Sequence, residues 1–102
     1  MTNIAIDFDG TLCEEDIFPA IGKPKQDVID WVKDQQLKGC RLILYTLRKD
    51  IYLQDALKWS FEKGIKFDYI CDNKVHADIF LDDKNMRVED IKRFDSNNFK
   101  RG

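Results

Sequence analysis

The chain has 102 residues, 43% hydrophobic and 35% charged, with a formal net charge of −2. That balance fits one soluble domain over residues 1–102 with a single core, and it excludes a disordered chain. It argues against a broad nucleic-acid footprint, and no apolar run reaches membrane-spanning length.

Taken in chain order, Ile4, Ala5, Ile6 and Phe8 predict a buried strand over Asn3–Phe8, broken at Gly10. Two aspartates, Asp7 and Asp9, stand at its end and face one side if the strand continues. Like charges that close repel and resist losing water, so something must offset the cost. A divalent cation is the natural candidate, because hard cations take oxygen ligands. The cysteine that follows, Cys13, reads as a small buried hydrophobe. With Cys40 and Cys71 it makes an odd, widely spaced set. That argues against disulfides or a zinc site and fits a reducing cytoplasm, as does the lack of a secretion signal.

Pro19, Gly22 and Pro24 mark a loop, and Pro24 suits the first turn of a helix over about residues 25–38. Val28, Ile29, Val32 and Leu37 are its expected core face, and Gly39 its stop. Arg41 to Tyr45, RLILY, reads as a compact strand ending at Thr46. Asp50 is the expected cap of a second helix through about Lys63, with Leu53, Leu57 and Phe61 inward and Gly64 as its stop. Trp31 and Trp59 read as core or interface residues. Phe67–Cys71 is a weaker strand and Ala77–Leu81 a stronger one, followed by Asp82 and Asp83. Val88–Phe94 reads as a short final helix, and the remaining C-terminal cations as a solvated tail.

Strands alternating with helices predict an α/β domain: a three-layer, Rossmann-like parallel sheet with helices on both faces. Right-handed crossovers bring every strand's C-terminal end to one edge, where ligands bind in such sheets. Asp7, Asp9, Thr46, Asn73, Lys74, Asp82 and Asp83 gather there. Carboxylates in this number suit Mg²⁺. Thr46 can donate a hydrogen bond to a phosphoryl oxygen and Lys74 can supply positive charge. One carboxylate can attack a phosphoryl group while a second protonates the leaving oxygen. Gly10 allows close backbone approach, so amides near it are further candidates for phosphate binding.

These residues resemble the haloacid dehalogenase (HAD)-like superfamily of phosphohydrolases. Its DxDGT motif appears as Asp7-Phe8-Asp9-Gly10-Thr11, and its strand-ending Thr as Thr46 in LILYT. Its lone Lys appears as Lys74, and its paired acids as Asp82 and Asp83 in IFLDD. The match runs in order from about Ile4 to Lys84. It implies a Mg²⁺-dependent phosphatase with Asp7 as nucleophile, through an aspartyl-phosphate, and Asp9 as acid/base. In that reading the backbone carbonyl of Asp9 faces the metal, Asp82 and Asp83 serve it, and Thr46 and Lys74 grip the phosphoryl group. Thr11 supports the turn. Lys84 is the rival to Lys74.

The gap from Cys13 to Lys23 and the gap from Thr46 to Lys74 are both too short for the family's usual cap domain. The chain is therefore similar to small capless members, including a subgroup associated with polysaccharide biosynthesis. Shielding of the site must then come from loops, another subunit in a homo-oligomer, or a large substrate. The implied substrate is a phosphomonoester: a sugar phosphate, a nucleotide or a phosphorylated polymer end. Two readings stand beside it, a phospho-acceptor domain of receiver type and a non-catalytic binding module. Arg48 reads equally as a substrate contact and as a solvated loop charge, and His76 as a structural residue.

Overall fold

The computed structural model describes residues 2–71 and 77–81. Six elements follow one another: β1 (Asn3–Asp7), α1 (Gln26–Leu37), β2 (Arg41–Tyr45), α2 (Asp50–Glu62), β3 (Tyr69–Cys71) and β4 (Ile79–Leu81). The four strands form one parallel sheet in the order β3-β2-β1-β4. This is a small α/β, Rossmann-like fold, and among the described residues the β1-to-β2 and β2-to-β3 connections carry no cap domain. The helix expected over residues 88–94 lies outside the described residues.

Both crossovers step the same way, β1 to β2 to β3, so right-handed connections put α1 and α2 on one face. Gln36 at the end of α1 ties them together. Its amide donates to the Gly64 carbonyl at 2.9 Å and accepts from the Lys66 N–H at 2.8 Å. Beneath them the register aligns Ile4 with Leu42 and Ile79, and Ile6 with Leu44 and Leu81. All six are buried, joined in the core by Phe8, Leu12, Ile29, Val32, Ala56 and Ile65. Ala5 and Ile43 pair on the opposite face and are buried too. Strands apolar on both faces are what a parallel sheet requires.

The helices bury different residues from those their periodicity predicts. In α1, Ile29 and Val32 are buried as expected, but with Trp31 and Gln35. Leu37 is 86% exposed, because at about 3.6 residues per turn it falls opposite Val28, Val32 and Gln35. In α2 the small residues Ala56 and Ser60 are the buried ones, with Leu53 and Leu57 partly buried against the core, while Phe61 is exposed. The Ser60 hydroxyl is satisfied by donating to the Ala56 carbonyl at 2.8 Å.

The helix starts also differ. Lys25 and Lys49 occupy the N-cap positions, and neither makes a side-chain cap bond. Pro24 therefore precedes α1 rather than opening its first turn. Asp50 is the first residue of α2, not its cap, and takes a left-handed φ of 51°. The strands β3 and β4 are shorter than expected, three residues each. Only the residues that pair with β2 and β1 are held in the sheet.

Candidate active site

The site is built where β1 and β2 end. Asp7 is the register partner of Tyr45, so Thr46 follows β2 at the edge where β1 delivers Asp7. Asp7 Oδ1 accepts the Phe8 N–H at 2.9 Å, which holds its carboxylate against the backbone as the strand ends. The chain then turns tightly. Phe8 O accepts the N–H groups of Thr11 and Leu12 at 3.2 and 3.0 Å, and Gly10 N–H donates to Cys13 O at 2.8 Å. The turn needs a φ of 87° at Gly10, where a side chain would be strained.

The amides of Gly10, Thr11 and Leu12 are bonded inside the turn, and the positive φ gives Gly10 its place in the backbone path. Thr11 is buried, its N–H bonds within the turn, and its Oγ1 has no hydrogen-bond partner among the described residues.

Lys25 is a residue that sequence reasoning missed. Its Nζ donates to the Gly10 carbonyl and its backbone N–H to the Leu12 carbonyl at 2.9 Å. No local spacing signals this contact, which crosses fifteen positions. Together with the Glu14 N–H bond to Lys23 O at 2.8 Å, it closes residues 14–23 into a projecting loop. Gly22 makes that closure possible, since a Cβ there would lie 2.2 Å from the Glu14 carbonyl oxygen.

Arg48 carries the larger consequence, and what sequence reasoning missed is its partner. It is 4% exposed, so it is not a solvated loop charge. Its Nε and one terminal nitrogen each donate to the Asp9 carboxylate at 2.7 Å, a bidentate pair. Its guanidinium lies between the rings of Phe8 and Phe18, 5.2 and 5.1 Å from their centroids. Its other terminal nitrogen reaches the Tyr52 carbonyl at 3.4 Å. The Asp9 carboxylate raises the Arg48 pKa above its already high ordinary value, so the guanidinium stays charged. The cost of the second carboxylate is thus offset by an arginine. The available signal was TLR, which puts Arg48 two positions after Thr46.

Thr46 is buried, its N–H donating to Cys71 O at 3.1 Å and its Oγ1 accepting the Arg48 N–H at 3.1 Å. A depression of about 280 Å³ opens beside it, lined by Thr46, Arg48, Lys49, Leu53, Ile70 and Cys71. Cys13 is fully buried, as expected, and burial pushes its thiol pKa up.

The structure therefore brings Asp7, Asp9 and Thr46 to one edge and adds Arg48. Lys74, His76, Asp82, Asp83 and Lys84 lie outside the described residues. Among the described residues no three His, Cys, Asp or Glu side chains are grouped to hold a metal. No described helix is long and apolar enough to cross a membrane.

No protein-family model matches the chain, and no curated protein matches it. Among solved structures it is similar to a conserved protein from Bacteroides thetaiotaomicron, with 28% identity and a TM-score of 0.81. The likeness covers 94% of this chain and 90% of that one, so the two share a fold over nearly their whole length.

Proposed function

We propose that this chain is a capless phosphohydrolase of HAD-like type, acting on a phosphomonoester through a phosphorylated Asp7. The observation that carries the reading is the pairing of Asp7 with Tyr45. It sets a carboxylate and the Thr46 hydroxyl on adjacent strand ends, with a second carboxylate, Asp9, two residues on.

In the first step an Asp7 oxygen attacks phosphorus, and the bond from phosphorus to the leaving oxygen breaks. Asp9 gives that oxygen its proton. In the second step water attacks the aspartyl-phosphate and Asp9 takes the proton, which frees Asp7 and inorganic phosphate. Thr46 and Lys74 hold the phosphoryl oxygens.

The expected metal fits the donors. The carboxylates of Asp7, Asp82 and Asp83 offer hard oxygen ligands, and β4 ends at Leu81, paired with Ile6 and directly before Asp82 and Asp83 in the sequence. Since the Asp9 carboxylate is committed to Arg48, its share in holding Mg²⁺ falls to its backbone carbonyl, beside Asp7, Asp82 and Asp83. When bound, the metal supplies neutralisation of phosphoryl charge.

With no cap domain, the loop of residues 14–23 is the nearest shield, and substrates as large as a phosphorylated polymer end are admissible. Acid-quenched turnover tests the intermediate. The account expects a phosphoryl adduct on the peptide holding Asp7, absent from Asp7→Asn. An adduct on another residue, or none during active turnover, contradicts it.

A further inference from the structure

Resting on that reading, we infer that Arg48 is a positioning residue for the proton-transfer step, acting through Asp9. A carboxyl group can swing about its terminal bond, and giving up its proton needs the oxygen that carries that proton aimed at the leaving oxygen. Arg48 removes that freedom. Its two parallel bonds of 2.7 Å fix the plane of the Asp9 carboxylate. They engage one lone pair on each oxygen and leave a second position on both, where the proton to be delivered is carried and later taken back.

The guanidinium is itself held from every side. Phe8 lies on one side and Phe18 on another, the Tyr52 carbonyl accepts a third N–H, and its own backbone N–H is bonded to Thr46 Oγ1. That last bond is the reason for the assignment. The loop that presents Thr46 to the phosphoryl group also carries the arginine that orients Asp9. One rigid piece thus sets both ends of the bond to be broken. A guanidinium needed only to neutralise Asp9 requires neither the planar fork nor the link to Thr46.

The test uses the full chain with Mg²⁺ and two esters, an alkyl phosphate and p-nitrophenyl phosphate. The alkoxide needs a proton to leave, whereas nitrophenolate leaves without one. The quantity read is the ratio of kcat on the two esters within each variant. Any loss of folded protein cancels in that ratio. Arg48→Lys keeps the charge and removes the fork, and the ratio of alkyl to aryl turnover is expected to fall by about tenfold, with KM little changed. Phe18→Ala removes one support of the guanidinium from an exposed position, 58% accessible. It is expected to lower the same ratio by about threefold, in a chain whose core is untouched. Should Arg48→Lys fail to fold, Phe18→Ala decides alone. Equal losses on both esters, or a change confined to KM, overturn the positioning role and leave the phosphatase reading standing. A wild-type chain inactive on both esters overturns the phosphatase reading and this role with it.

Discussion

Arg48 and Asp9, thirty-nine residues apart, form a bidentate ion pair in which the arginine side chain is 1% exposed and the aspartate 15%. A pair this enclosed is costly to break from one side, because the remaining charge keeps its desolvation penalty without its partner. Asp9→Asn is therefore expected to destabilise the fold by about 2–4 kcal/mol in urea denaturation. Neutralising a carboxylate that merely repelled its neighbour would leave stability unchanged or raise it, and that outcome would contradict the pairing.

Gly22 makes a second, independent prediction. Its backbone passes so near Glu14 that a methyl group has no room, and the atom in the way is backbone rather than a flexible side chain. Gly22→Ala should cost about 1–3 kcal/mol, read as a drop in the denaturation midpoint. A neutral substitution would mean that the neck of the 14–23 loop is not closed as described.

Cys13 gives a pH dependence. Burial raises its thiol pKa above the ordinary 9.0, so the native state holds the proton longer than the unfolded chain. The resulting stability is fully present below the unfolded value and is lost as pH climbs through the raised native one. Between about pH 7 and about pH 10 the wild type should lose more stability than Cys13→Ala, compared by urea denaturation at each pH. Parallel curves would contradict the burial of that thiol.

The sheet was legible in the sequence because its strands are short apolar runs that need no partner to be recognised. RLILY is the clearest case, with both observed bounds as expected. The gathering of Asp7, Asp9 and Thr46 at one edge followed from parallel topology alone. The helix faces were less legible. Periodicity ranks positions by hydrophobicity, but α1 buries Trp31 and Gln35, and α2 buries the small residues Ala56 and Ser60. Leu37 and Phe61 were thereby placed on the wrong side. Within the site, the Asp9 partner lay beyond reach, since pattern reading places charges on loops but does not pair them across the fold.

That difference is itself measurable. Leu37→Gln and Phe61→Gln should each change stability by less than about 0.5 kcal/mol, whereas Ile29→Ala should cost about 2–4 kcal/mol. A large loss at Leu37 would put α1 in a different rotation.

The central claim, that Asp7 is the nucleophile of a metal-dependent phosphatase, is tested most directly by phosphate release. Wild type and Asp7→Asn are assayed on a broad panel of phosphomonoesters, with and without Mg²⁺. The account predicts turnover that requires Mg²⁺ and disappears in Asp7→Asn, whose side chain keeps the shape but lacks the nucleophilic oxygen pair. Turnover that survives in Asp7→Asn, or a wild type that releases no phosphate from any ester on the panel, would contradict it.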